Sequence, residues 1–142
     1  MVKLSGPTGI KARQIMQTHI VGVQAQATIR EFFDNVANTY RHQIYPVFKG
    51  SEAAGLISLW EISQVPSEKW HETLVGEVAR TEITAISEDA DLGEAVRLLT
   101  QQGRDRMLVV TGAGGAPVGI ITDSDILQAL EPRSASNDGR SK

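Results

Sequence analysis

An internal repeat limits what this chain can fold into more than any other feature. Residues 19–48, HIVGVQAQATIREFFDNVANTYRHQIYPVF, align without a gap to residues 82–111, EITAISEDADLGEAVRLLTQQGRDRMLVVT, at a constant offset of 63 positions (82 − 19). Identities are few, but the pattern is shared, and a repeat of this length means one supersecondary unit used twice around a common core. Ile29, Phe32, Phe33 and Val36 recur at helical spacing in the first copy, and Leu92, Ala95, Val96 and Leu99 occupy the equivalent places in the second. Both helices open on an oxygen-bearing cap with a Glu three residues on, 28-TIRE-31 and 91-DLGE-94, where the Glu can reach back to the cap.

Before each helix lies a β-branched run, HIVGV or EITAI, that reads as a short strand. After each come two further apolar runs, 44–48 then LIS, and 107–111 then VGIIT, joined by the small-residue stretches KGSEAAG and GAGGAP that suit hairpin turns. The offset there becomes 64, one residue more, because turns accept insertions more readily than strands do. A second, short helix then starts near Trp60 or Ser124 and stops by Pro66 or Pro132. Each half therefore reads strand, helix, strand, strand, helix, an α+β fold. The expected organisation is a flexible segment over 1–11, a first repeat over 12–66, a linker over 67–75, a second repeat over 76–130 and a disordered tail over 131–142. Within the connector, Trp70 is expected to dock on one half.

At 142 residues with 41% apolar and 22% charged side chains, the chain can bury one core shared by two small halves. A net charge of −3 without a basic run argues against nucleic acid and anionic membrane as partners. The absence of cysteine removes disulfides, thiolate metal sites and cysteine nucleophiles, and a reducing cytosol fits by default. No apolar run approaches the ~20 residues that span a bilayer, so no direct membrane insertion is expected, and MVKLSGPTG lacks the apolar stretch of a signal peptide. The motif 71-HETLV-75 has Val where a zinc-binding helix needs its second His; His19 and His42 have no local partner at ligand spacing, and no metal is expected. GAGGAP matches neither the dinucleotide fingerprint nor the phosphate loop, and no G-x-S-x-G occurs, so no catalytic constellation is found and the chain reads as non-enzymatic.

Two stretches remain, 55-GLISLWEIS-63 and 119-GIITDSDIL-127. Each sets a hydroxyl, Ser58 or Thr122, three residues before an acid, Glu61 or Asp125, which is again capping-box grammar. The same geometry serves a ligand bearing hydroxyls and phosphates, since a carboxylate accepts from both hydroxyls of a ribose beside free helix N–H groups. The two readings are compatible. Taken together, the pattern over roughly residues 12 to 130 resembles the CBS domain family, whose paired copies form a Bateman module. The most specific element is 119-GIITDSDIL-127, which is similar to the family's Gly, apolar, apolar, Thr/Ser, any, any, Asp signature; 55-GLISLWEI-62 departs from it with Glu61, whose longer side chain would crowd a ribose.

The resemblance implies two repeats packed about a pseudo-twofold axis, with clefts that in many members bind AMP, ADP, ATP or S-adenosylmethionine. By that resemblance Thr122 and Asp125 hold ribose in one site, and Ser58 with Glu61 do so in the other. Ile20 and Ile83 would flank adenine, although both read equally as core. Arg104 and Arg106 stand before 107-MLVV-110, within reach of phosphates, although each also reads as a solvated surface charge. A finer resemblance, carried by 55-GLISLWEISQVPSEKWHETLVGEV-78, is to CBS pairs appended to site-two-type intramembrane zinc peptidases, which implies a fused or partner membrane peptidase or another enzyme. The family also implies a homodimer. The expected function is a ligand-sensing regulatory module; the alternative is a ligand-free dimerising or docking scaffold for a partner protein or fused enzyme.

Overall fold

In the computed structural model, which describes residues 7–131, the repeat appears as two three-stranded sheets. The first half comprises helix α1 (Ala12–Ile15), strand β1 (Val23–Gln24), helix α2 (Ile29–Phe32) continued through a π-turn at Phe33–Ala37 into α3 (Asn38–Tyr40), β2 (Ile44–Lys49), β3 (Glu52–Ser58) and α4 (Leu59–Ser63). The second comprises α5 (Val75–Val78), β4 (Thr84–Ser87), α6 (Leu92–Thr100), β5 (Leu108–Thr111), β6 (Pro117–Ile121) and α7 (Asp123–Leu130). In each sheet the first strand pairs parallel to the second and the second antiparallel to the third. The register shifts after Val47 in one sheet and after Val110 in the other, positions 63 apart (110 − 47), so even the bulge is repeated. The expected tail beyond Glu131 and residues 1–6 of the expected flexible segment lie outside the described residues.

The helices form where the apolar spacing places them, with Ile29 and Phe32 buried in one core and Leu92, Ala95 and Leu99 in the other. Thr28 and Glu31 exchange bonds as a capping box, Thr28 N–H to Glu31 at 2.9 Å and Glu31 N–H to Thr28 Oγ1 at 3.0 Å. Their counterparts differ. Glu94 does not reach back; it holds Arg97, three residues on, at 2.7 Å, and the cap falls to Asp91 alone, which accepts from Gly93 N–H at 2.8 Å. The first strand is also shorter than HIVGV suggested: β4 pairs four residues with β5, whereas β1 pairs only Val23 and Gln24 with Val47 and Phe48. Pairing stops where β2 presents Pro46, which has no N–H and stands where β5 has Val109. Trp70 docks as expected, its indole N–H donating to the Val65 carbonyl at 2.8 Å beside the Phe33 ring.

The chain also crosses between its halves. Residues 8–17 lie on the second half: Ala12 and Arg13 N–H groups donate to the Ala90 and Glu88 carbonyls, and Gln17 bridges Ile120 through two backbone bonds of 2.9 and 3.0 Å. Residues 74–80 lie on the first half in the same way, with Val75 and Gly76 donating to Ala27 and Ala25, and Arg80 bridging Leu56 through two bonds of 2.8 Å. Each half thus lends a short arm to the other. Ala12 is fully buried in the second core and Val75 in the first, and a third cluster of Ile44, Leu56, Met107 and Ile120 joins the two. No helix among the described residues is long and apolar enough to cross a membrane.

Candidate functional site

The glycine that opens each quoted stretch is explained by the arm that crosses it. A Cβ on Gly55 would come within 2.3 Å of the Arg80 carbonyl oxygen, and one on Gly119 within 2.8 Å of the Gln17 carbonyl oxygen. Backbone must meet backbone there, which only glycine permits. The strand then delivers its hydroxyl residue to the start of the following helix. At α7, the Asp125 carboxylate accepts from Thr122 N–H at 2.8 Å and from the Thr122 hydroxyl at 3.1 Å. At α4, Glu61 accepts from Ser58 N–H and from the Ser58 hydroxyl, both at 2.6 Å, while Trp60 N–H donates to Ser58 Oγ at 3.2 Å. The capping reading of both stretches therefore holds.

Each acid has a second partner, and it comes from the crossing arm. Gln17 Nε2 donates to both oxygens of Asp125, at 3.1 and 3.0 Å. Arg80, 63 positions later (80 − 17), faces Glu61 with Nε 3.1 Å from Oε2. The Arg80 Nε–H is not aimed at that oxygen and has no hydrogen-bond acceptor, so the contact is an ion pair held by charge. The remaining guanidinium nitrogens donate to the carbonyls of Asp105 at 2.7 Å and Arg104 at 3.4 Å. Glu61 is only 6% exposed, which makes that pairing mandatory, since an uncompensated buried carboxylate is costly. Asp125 is half-buried and its Gln17 partner exposed. Glu61 is thus held by a cation rather than merely lengthened by a methylene.

A cleft of about 360 Å³ opens between the halves, bounded by Gln17, Ile44, Arg106, Met107, Ile120 and Thr122. Its floor is the apolar cluster that joins the halves, against which Ile20 also packs. Arg106 stands at its edge, 28% exposed, donating to Asp123 at 2.9 Å. Asp125 borders the groove between α1 and α7 and meets the cleft through Gln17. A second cleft of about 480 Å³ is bounded by Leu56, Arg80, Glu82, Thr84 and Gln102. Leu56 and Arg80 there take the places that Ile120 and Gln17 take in the first. Glu61 sits behind Arg80 as Asp125 sits behind Gln17.

Of the eight residues singled out from the sequence, Thr122 and Arg106 line one cleft, Asp125 meets it through Gln17, and Ile20 supports its floor. Glu61 sits behind Arg80 and accepts from Ser58, which itself lines a third cavity of about 470 Å³ with Phe32, His42, Tyr45 and Asp105. Ile83 lies half-buried between Glu82 and Thr84 and bounds neither cleft; Arg104 is exposed and contributes only its carbonyl. Gln17 and Arg80 were missed. Carrying the 63-residue offset two positions upstream of His19 would have aligned them. His42, from the loop before β2, reaches the cleft edge, its amide donating at 2.7 Å to the hydroxyl of Tyr45, a phenol that burial pushes up despite that bond.

Comparison with known proteins follows the same division. Residues 75–132 match the family described as CBS domain. Over 136 residues the chain is 23% identical to an uncharacterized 33.4 kDa protein in the ribosomal RNA operon of Thermofilum pendens, covering 87% of this chain and spanning 44% of that protein's length. Among solved structures, the CBS domain of the bacterial CNNM/CorC family Mg2+ transporter in complex with ATP superposes with a TM-score of 0.77 at 17% identity, over 84% of this chain and 86% of that one. CBSX2 in complex with AMP superposes with a TM-score of 0.72 at 19% identity, over 84% of this chain and 94% of that one. The CBS-pair protein CBSX2 from Arabidopsis thaliana gives 0.76 at 19% identity, over 86% and 94%.

Proposed function

Because the chain is a CBS pair, with a CBS domain over residues 75–132 and the paired fold throughout, we propose that it is a non-catalytic regulatory module that binds an adenosyl ligand in the cleft at Thr122. Support comes from the cleft's own chemistry, with a hydroxyl and a guanidinium over an apolar floor. Its volume of about 360 Å³ lies in the ordinary range for small-molecule sites. The single observation that carries the reading is the Thr122–Asp125 pair at the head of the eight-residue helix α7, beside that cleft. The bound forms of two structural relatives, one with ATP and one with AMP, make adenine nucleotides the first ligands to try, with S-adenosylmethionine third.

Binding would shift the packing of the halves only if the ligand prefers one arrangement, and a partner domain could read that shift with a coupling of ~1–3 kcal/mol. The chain spans 44% of the Thermofilum protein's length, which leaves room for such a partner in that relative, and a fused membrane peptidase or other enzyme belongs to this proposal. So does a homodimer in the cytosol. Leu59 and Leu127, each 68% exposed, and Trp60, 51% exposed, put apolar surface on α4 and α7 for a second copy to cover. The scaffold reading is favoured by one observation: both acids already have protein partners.

Thermal-shift titration with AMP, ATP and S-adenosylmethionine separates the two, because a ligand that binds only the native state raises Tm. A rise with one of them is expected. Asp125→Ala should weaken that ligand by about tenfold or more, the loss of charge-assisted hydrogen bonds, and cost about 1 kcal/mol of stability through the lost cap. A flat response to all three ligands refutes the sensor and leaves the scaffold, whereas unchanged affinity in Asp125→Ala with lowered stability makes the acid a cap only and removes the Thr122–Asp125 pair from the site.

A further inference from the structure

We infer that the residue at position 17 and its repeat counterpart at position 80 decide which cleft can take a ligand: Gln17 is a displaceable occupant of the Asp125 carboxylate, and Arg80 a permanent occupant of Glu61. The inference rests on the sensor reading and specifies it. Gln17 and Arg80 are equivalent by every backbone criterion. Each forms a two-bond bridge to the third strand of the opposite sheet, at Ile120 or Leu56, and each lays its carbonyl over the glycine that opens the signature. Their side chains then fall on the equivalent acids. The identity of this one side chain is thus a chemical difference between the approaches to the two acids that the shared backbone leaves open, beside the exchange of Asp125 for Glu61 and of Asp123 and Ser124 for Leu59 and Trp60.

That difference is large in kind. Gln17 is neutral and exposed, and its amide makes two bonds to a half-buried carboxylate that ribose hydroxyls would replace one for one. Its backbone bonds to Ile120 do not involve the side chain, so the side chain can swing aside while the arm stays docked. Arg80 carries a full charge against an acid 6% exposed in the first half, and its other nitrogens are anchored on the carbonyls of Asp105 and Arg104 in its own half. A neutral sugar cannot replace a cation there, because it would leave Glu61 buried with no compensating charge. The chain therefore takes one adenosyl ligand, at Thr122 and Asp125, and Arg80 keeps the other cleft out of use while tying the halves together.

Isothermal titration of AMP and of ATP into the wild type, Gln17→Ala and Gln17→Arg tests this. One equivalent per chain is expected. Gln17→Ala should bind about threefold to tenfold more tightly, since the competing hydrogen bonds are gone, with Tm nearly unchanged because the Ile120 bridge persists. Gln17→Arg, which copies the Arg80 arrangement, should weaken binding at least about tenfold. Two equivalents in the wild type, or weaker or unaltered binding by Gln17→Ala, overturns the inference, as does a Gln17→Arg variant that binds like wild type. Should the wild type bind neither nucleotide while Gln17→Ala binds one, Gln17 is a permanent occupant rather than a displaceable one and the inference falls with the sensor reading, as both do if neither protein binds; wild-type binding that Gln17→Ala leaves unaltered overturns the inference alone.

Discussion

Asp91 closes two segments at once. Its carboxylate accepts from Gly93 N–H inside α6 and from Thr8 N–H at 2.9 Å and Gly9 N–H at 3.0 Å on the arm that arrives from the other half. The Gly93 amide foremost, joined by the amides of Thr8 and Gly9 and the Thr8 hydroxyl, holds the Asp91 carboxyl below its ordinary value of 3.8 against partial desolvation. A carboxyl depressed on folding stabilises the native state above its unfolded pKa and loses that contribution as pH falls through the lower folded value. Urea midpoints of wild type and Asp91→Ala should therefore differ at about pH 6 and approach one another as the solution is acidified through the ordinary carboxyl range and the lowered folded value. At this scale the sequence exposed the local pairs and hid the remote ones. Thr28–Glu31, Ser58–Glu61 and Thr122–Asp125 are each three residues apart and were legible as capping grammar, whereas Gln17 meets Asp125 across 108 positions and no local pattern announces it. Glu94 shows the reverse error, because an arginine three residues on outcompetes the cap that the motif promised.

The elements most exposed to substitution are β3 and β6, where an arm passes directly over glycine. Gly119→Ala would bring a methyl group to 2.7 Å from Met16 Sδ and 2.8 Å from the Gln17 carbonyl oxygen. The sulfur can move, but the carbonyl belongs to the bridge with Ile120, so the arm must lift. A loss of about 1–3 kcal/mol is expected from such overpacking, measured by urea unfolding, with increased hydrogen exchange at the Gln17 and Ile120 amides. Helices with a full apolar stripe, such as α6, were readable from periodicity, as were β2, β5 and their hairpins. Gly114 and Gly115, at φ of 75° and 82°, confirm the turn reading of GAGGAP. Helices α1 and α5 were not readable: four residues make too short a period, and what buries Ala12 and Val75 is the half to which they do not belong in sequence.

For the whole molecule, three apolar clusters and two exchanged arms make the halves mutually dependent. Removing either half would strip an arm from the other and uncover Ile44, Leu56, Met107 and Ile120. Unfolding should therefore be one transition. The chain's two tryptophans, Trp60 and Trp70, both belong to the first half, so their fluorescence reports that half while far-ultraviolet circular dichroism reports both. Coincident curves are expected, and a fluorescence midpoint separated from the dichroism midpoint would show that the halves melt independently. The reach of the sequence reading follows from the same geometry. Repeated architecture was visible because it is written twice, and the clefts were visible only through family resemblance, because their walls come from segments far apart in the chain.

The crossing arms carry an implication for how such a molecule is put together. A single half on its own would hold out a strap with no buckle and a buckle with no strap, and two identical halves would fasten by trading them. The connector through Trp70 replaces that meeting of separate partners with an encounter inside one polypeptide, at an effective concentration no longer set by how much protein is present.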